Sequence, residues 1–331
     1  MMGMKLRTGK NSKTAYDIKS YFHLSLPCWL LKLRKRVLLR NVEQRKDWAA
    51  IRGRVNYYCK DMTSLDKKQW EEESVMLCTQ KILRPKVYYL DSIRYIRYFP
   101  QNLYWHICSG DVNYVPALPS IVKSRPIDVK NENAVLLNLN RVRHFVFLND
   151  HIDWQDKEDK LVFRGSIGQK EGVGFKQNRY LFMQRFFNHP LVDAGEVMEG
   201  GRYVNPEWGS TKLTLYDHLR YKFVLALEGN DVASNLKWIM SSNSIAVMPR
   251  PKFETWFMEG KLVADYHYIE IASDFSDLEE KLTYYLNHPA KAQAIIEHAH
   301  EYVNQFRNDK REAIISLLVL DKYFNQTNYE A

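Results

Sequence analysis

Four short segments gather the side chains best suited to holding a phosphate and moving a proton. Phe163-Arg164-Gly165-Ser166 closes an apolar run and opens a loop that carries Gly168, Gly172 and Gly174. Glycines let backbone N–H groups approach an anion closely, and a following helix adds its positive end. Arg164 adds a permanent charge that can grip two phosphate oxygens at once. The glycines alone fit a plain surface loop equally well, because the stretch has neither the G-x-x-x-x-G-K-[ST] pattern nor dinucleotide-binding spacing. In the second segment, Leu227 to Trp238, an apolar run ends, a polar turn follows and a helix starts near Ser234. Its first N–H groups and Lys237 suit a diphosphate, while Asn230 and Asp231 serve equally well as helix caps. The third segment, Met248 to Gly260, offers carboxylates for ribose hydroxyls and aromatics that can stack on a base or sugar; Phe253 and Phe257 read first as packing. In the fourth, the run Leu103 to Cys108 ends at Ser109-Gly110-Asp111. A strand, a glycine turn and a carboxylate make the usual site at the carboxyl edge of a parallel sheet.

Some chemistries are missing. No two aspartates stand one residue apart, so the D-x-D device that holds a divalent metal against a diphosphate is absent. Positive side chains, with Arg164 and Lys237 as candidates, and helix ends then have to neutralise a leaving group. The ten histidines are scattered without H-E-x-x-H, and no G-x-S-x-G occurs, which argues against zinc and serine hydrolases. Cys28, Cys59, Cys78 and Cys108 form no C-x-x-C pair and read as reduced thiols.

The elements that must position these segments alternate. Strands are expected at Val87–Leu90, Leu103–Cys108, Ala134–Leu139, His144–Leu148, Lys160–Phe163, Phe223–Leu227, Ser244–Met248 and Tyr268–Ile271. Helices are expected over residues 41–84 for the most part, then at Gln177–Phe187, Ala233–Ser241, Leu278–Leu286, Ala290–Phe306 and Arg311–Phe324. That order predicts parallel sheets flanked by helices. A chain of 331 residues suits about two domains, and the polar stretch Asp150–Lys160 reads as a linker. Residues 1–25 read as mobile. Residues 1–60 carry 15 Lys and Arg against 3 Asp and Glu, and the rest of the chain 33 against 36. The positive charge is therefore local, which suits docking to something anionic and argues against a nucleic-acid partner. In residues 26–40, Trp29, Leu30, Leu33, Val37 and Leu38 can share one helical face among basic neighbours. Such a face either lies on an anionic membrane or packs on the fold. No apolar run reaches the roughly 20 residues that a membrane span needs, and no secretory signal is apparent, so a cytoplasmic protein is expected.

The order of FRGS, YKFVLALEGNDVASNLKW, SSNSIAVMPRPKFETWFMEGKL and YHYIEIASDFSDLEEKL resembles the family 90 glycosyltransferases, over roughly residues 85–310 and most closely in the bacterial lipopolysaccharide branch. The resemblance implies an α/β, GT-B-like architecture: two Rossmann-like domains facing across a cleft, with a helical, basic N-terminal extension. The expected division is residues 1–84 as that extension, 85–158 as the acceptor side, 159–306 as the UDP-sugar side and 307–331 as a helix crossing back. The implied reaction is inverting transfer of a hexose, glucose or galactose, from a UDP-sugar to a lipopolysaccharide or lipooligosaccharide core sugar, with no metal and no resident cofactor. The rival is a sugar-nucleotide-binding protein without turnover. By residue, the resemblance makes Asp111 the base and places Arg164, Gly165, Ser166 and Arg179 around the phosphates. Asn230, Asp231, Val232, Ala233, Ser234 and Lys237 fall at the diphosphate turn, and Glu254 or Glu259 at the acidic position near the nucleotide. The setting implied is the cytoplasmic face of an inner membrane, reached through the basic N-terminus.

Overall fold

The computed structural model describes residues 7–62, 65–168, 176–198 and 203–328; Gly172 and Gly174 lie outside them. The chain is a mixed α/β protein. Its largest sheet has five strands in the order Ile269–Glu270, Ile245–Met248, Tyr221–Leu225, Glu158–Gly165 and Val192–Glu196, every pairing parallel. The central strands are apolar on both faces, as a parallel sheet covered on both sides requires. Alternation then divides their side chains between two cores. Leu161, Phe163, Phe223 and Val247 join a cluster with Phe182, Leu282 and Ile295. Val162, Val224, Ala246 and Met248 join a larger cluster that continues through Trp238 into the N-terminal half.

The N-terminal half has shorter pairings. Ser120–Val122 runs parallel to Ala134–Leu136, and Ile107 bridges to Ile121 in parallel. An antiparallel pairing of Ser124–Pro126 with Phe253–Thr255 ties the halves together. The helix Asp309–Thr327 packs on the helix Trp48–Tyr58; Arg54 there forms a buried ion pair with Glu312 at 2.5 Å.

Several expected elements differ. Val87–Leu90 belongs to a helix, Lys86–Ile96, whose buried Tyr88, Ser92, Tyr95 and Ile96 keep a helical period; a four-residue window is too short to reveal one. His144–Leu148 pairs with no strand, and its start lies in the short helix Arg141–His144. The stretch read as a linker is tied down: the Asp150 carboxylate holds Lys157 at 2.8 Å and accepts from the Asn243 N–H at 2.9 Å, while Trp154 is buried. Charges that read as solvated are paired with each other.

Residues read as mobile include a helix, Lys13–Ser25, capped by the Ser12 hydroxyl accepting from the Ala15 N–H. The next helix, Cys28–Leu39, faces the core with Leu31, and Leu38 and Leu39 pack there too. Its outward side carries Trp29, Leu33 and Val37, 64%, 47% and 74% exposed. The apolar stripe read from the sequence thus points away from the fold, except Leu38. Among the described residues, no helix is long and apolar enough to cross a membrane.

Candidate functional site

The polar loops converge where an open parallel sheet places its ligand site, beyond the carboxyl ends of its strands. A small pocket of about 70 Å³ lies there, lined by Asn178, Glu228, Val232, Ala233, Pro249 and Phe253 among others. Glu228 is set in it by the N–H groups of Lys252 and Phe253, which donate to its Oε1 at 3.0 and 3.1 Å. Burial pushes its pKa above the ordinary range, and those two donors oppose the rise.

Asp111 enters from the N-terminal half. Gly110 turns the chain with φ +105°, a value that favours glycine. One oxygen of Asp111, Oδ1, pairs with the Lys123 ammonium; the other accepts a long bond, 3.3 Å, from the Asn230 amide. Lys123 follows the buried strand Ser120–Val122, is itself 2% exposed, and also pairs with Asp231 at 2.7 Å. Burial draws the Asp111 pKa up, but Lys123, with help from Asn230 and Arg143, outweighs it and holds the carboxyl below the usual range. Burial disfavours the Lys123 cation, but Asp231, Tyr88 and Asp111 outweigh it, so its pKa is raised. One buried cation thus links Asp111 to the Asn230–Asp231 loop and keeps it ionised. Sequence reasoning missed Lys123, although a lysine closing the run Ser120-Ile121-Val122 was a visible signal, because a lysine is almost never buried unless it is paired.

Two arginines stand near the glycine loop in different states. Arg164 turns sideways onto the neighbouring strand: its guanidinium binds the Asp193 carboxylate at 2.6 Å and the Asp193 carbonyl at 2.9 Å. Among the described residues the Arg179 guanidinium donates to backbone carbonyls, those of Ser166 at 2.8 Å and Leu227 at 3.2 Å. Burial, then Arg143, pushes its pKa down to about 10. Lys176 is depressed too, by burial first and then by Arg179 and Arg143. Arg143, Lys176 and Arg179 form a cationic group without a carboxylate ion pair among the described residues, and a Cβ on Gly229 would stand 3.5 Å from both the Lys176 and Arg179 head groups. A bound polyanion would relieve their mutual repulsion.

A model of glycosyl transferase family 90 matches residues 135–329. An O-glucosyltransferase LpsA from Dichelobacter nodosus is 40% identical, covering 94% of this chain and 96% of that protein. The chain belongs to glycosyl transferase family 90. More distant relatives are an O-glucosyltransferase rumi homolog from Anopheles gambiae, 24% identical over 46% of this chain and 38% of its own, and an uncharacterized protein 035R of invertebrate iridescent virus 3, 26% identical over 48% and 16%. The chain is therefore a glycosyltransferase.

Within this family 90 fold the remaining site expectations divide. Gly165, Ser166, Asn230, Asp231, Val232 and Ala233 all lie at the converging loops. Ser234 does not open a long helix: the helix is one turn, Leu236–Ile239, and Asn235 precedes it. Lys237 is fully buried and paired with Glu259, which also takes the Thr255 N–H and hydroxyl. A lysine so engaged cannot hold a diphosphate, and that expectation is corrected. Glu254 is also a tie of the fold, binding Arg125 at 2.8 Å and the Tyr57 hydroxyl. Glu259 borders the small pocket, but its carboxylate is used by Lys237 and Thr255. Glu228 borders the same pocket and has no ion pair among the described residues.

Proposed function

We propose that this glycosyltransferase transfers a hexose, glucose or galactose, from a UDP-sugar to a lipopolysaccharide or lipooligosaccharide core sugar with inversion. The observation that carries this reading is an ionised carboxylate, Asp111, beside a cation group that has no carboxylate ion pair among the described residues. The acceptor hydroxyl oxygen forms a bond to the anomeric carbon while the bond from that carbon to the phosphate oxygen breaks. The electron pair leaves with UDP, and the hydroxyl proton passes to Asp111. Oδ2 of Asp111 is the freer oxygen for that proton, because Oδ1 is engaged by Lys123. A low pKa keeps the base available at neutral pH, at some cost in strength. Arg179, Lys176 and Arg143 neutralise the departing diphosphate, the role a metal takes elsewhere, and no resident cofactor is needed. Glu228 binds the ribose.

In this reading the five-stranded sheet is the donor half of a GT-B pair, and the short parallel patch around Ile107, Ile121 and Val135 is the acceptor half. The enzyme works at the cytoplasmic face of an anionic inner membrane, the helix Cys28–Leu39 resting there on Trp29, Leu33 and Val37 with Lys32, Arg34, Arg36 and Arg40 around them. What supports this is the outward apolar stripe together with the local positive charge.

The test is UDP release from UDP-glucose, UDP-galactose or UDP-xylose with a truncated bacterial core oligosaccharide, in the presence of EDTA. Release with one donor, lost in Asp111→Asn, is the expected result. UDP binding with no release from any donor would sink the reading in favour of a protein that binds sugar nucleotides without turnover.

A further inference from the structure

A second, larger cavity of about 550 Å³ shares no lining residue with the small pocket. Its walls are the helix Lys13–Ser25, the end of the helix Lys86–Ile96, residues 138–147 and residues 306–312. Four cations border it: Lys19, Arg94, Arg141 and Arg307. Arg141 is committed to Asp91 at 3.0 Å. Two carboxylates from the first turn of the helix Asp309–Thr327 are also in the wall, Asp309 and Glu312, and Glu312 is committed to Arg54 and to the Trp256 indole N–H at 2.6 Å. Among the described residues no carboxylate pairs with Lys19, Arg94 or Arg307. The two arginines instead lie over aromatic rings, Arg94 at 5.7 Å from Tyr95 and Arg307 at 5.2 Å from Phe147. Asn138 supplies an independent sign of a missing ligand. It is 7% exposed, it borders the cavity, and its Oδ1, an acceptor, has no hydrogen-bond partner among the described residues. A buried amide is normally satisfied.

The mixture of cations outside the described ion pairs, an idle amide oxygen and aromatic faces selects a ligand. Cations suit a group with more than one negative oxygen, and an idle acceptor oxygen suits a sugar hydroxyl. Aromatic faces suit the apolar face of a sugar ring. The volume lies within the range of small-molecule sites. We propose that this cavity binds an anionic saccharide, a sugar carrying a phosphate or carboxylate, as the charged inner part of the acceptor glycan. The acceptor role rests on the reading under Proposed function; the saccharide site does not. One helical turn serves both places: Arg141 and Val142 border the cavity, while Arg143 acts on Asp111. The wall also meets the surface that faces outward. The helix Lys13–Ser25 turns Ser12, Ala15, Tyr16 and Lys19 to the cavity and leaves Ile18 and Phe22 exposed, 65% and 69%. A glycolipid with its tail at those exposed helices has a place beside them for its charged sugars.

The experiment is calorimetric titration of the full chain, saturated with UDP so that the diphosphate site is filled. Glucose 6-phosphate, glucuronate, inorganic phosphate and glucose are the probes. Glucose 6-phosphate is expected to bind with one-to-one stoichiometry and more tightly than inorganic phosphate or glucose. The double variant Arg94→Gln, Arg307→Gln should lose roughly tenfold or more of that affinity, the scale of one charge-assisted hydrogen bond, with UDP affinity unchanged. With a phosphorylated core acceptor the same variant should raise KM and leave kcat. Equal binding of glucose and glucose 6-phosphate would overturn the anionic requirement, and equal binding of inorganic phosphate would overturn the saccharide. Unchanged affinity in the double variant would overturn the location. Loss of probe binding with KM unchanged would overturn the acceptor role alone, and failure of every donor to turn over would strike the function reading while the binding result stood.

Discussion

The cations that the two halves bring to the candidate site are balanced in opposite ways. Lys123, from the N-terminal half, is buried between two carboxylates, Asp111 and Asp231. Arg179, from the sheet half, is held by carbonyls and has Lys176 and Arg143 for neighbours. A buried cation between two anions is a completed structure that fixes where Asp111 stands. A cation with its pKa depressed and like charges around it is strained until an anion arrives. In the proposed reaction the first arrangement positions the base and the second receives the diphosphate.

The comparison breaks hardest at Asp111. Asp111→Asn keeps the size and one acceptor oxygen for Lys123 but removes the proposed proton acceptor. Turnover should fall by about 10²–10⁴, the usual weight of a general base, with UDP affinity within a factor of about two on the same view. Isothermal titration beside the UDP-release assay checks both halves. A fall in UDP affinity as large as the fall in turnover would move Asp111 from the base to the binding side.

Next come the paired and unpaired arginines. Arg179→Met should weaken UDP binding roughly tenfold or more while the melting temperature of the free protein holds or rises, because a strained charge has gone. Arg164→Met should do the reverse: it strands Asp193, costs roughly 1–3 kcal/mol of stability, and leaves UDP affinity nearly intact. Thermal melts with and without UDP separate the two. If Arg164→Met abolished UDP binding without loss of stability, the sideways turn of Arg164 onto Asp193 would not describe the working enzyme.

These pairs also show what the sequence reveals and what it hides. The strands Glu158–Gly165, Tyr221–Leu225 and Ile245–Met248 were legible because strands buried on both faces read as continuous apolar runs. The loops proposed to carry ligand chemistry were legible as loops for the same reason, since they follow those runs. The state of each charge was not. Arg164 meets Asp193, 29 residues on, across a strand pairing; Lys237 meets Glu259, 22 residues on; Glu254 meets Arg125 across an antiparallel pairing between the halves. Nothing local distinguishes a cation that will find such a partner from Arg179, which has no carboxylate partner among the described residues. The helix Lys86–Ile96 was misread for a related reason: Val87-Tyr88-Tyr89-Leu90 is β-like until the next turn, with Ser92, Tyr95 and Ile96, is counted.

A pH profile sharpens the role of Lys123. Burial alone would raise the Asp111 pKa, and Lys123 is what reverses the sign. A depressed carboxyl favours the folded, ionised form above its unfolded pKa, and that contribution is lost as pH falls through the folded value. The acid limb of kcat/KM in the natural protein should therefore lie below the ordinary carboxylate range. In Lys123→Met, Asp111 and Asp231 lose their shared cation and repel, so the limb should move up by roughly one unit or more. A limb that stays in place while kcat falls would make Lys123 a support of the loop rather than the group that sets the charge of Asp111.

The smallest effect on catalysis, and the sharpest contrast between regions, is expected at the outward helix. Trp29, Leu33 and Val37 are exposed apolar side chains, whereas the last helix, Asp309–Thr327, buries Ile314, Ile315, Leu317, Val319 and Leu320. The same residue types face opposite surroundings, and water is a poor reason to expose three on one stripe. Trp29→Ser with Val37→Ser should leave UDP release with a soluble acceptor unchanged, because neither side chain supports the core. Binding to vesicles containing anionic phosphatidylglycerol should drop severalfold, in line with the apolar area withdrawn from the lipid. Vesicles of neutral phosphatidylcholine should bind the natural protein poorly, since Lys32, Arg34, Arg36 and Arg40 would have no counterpart there. Equal binding of the double variant and the natural protein to anionic vesicles would remove the stripe from the interface and leave the basic charge alone to account for it.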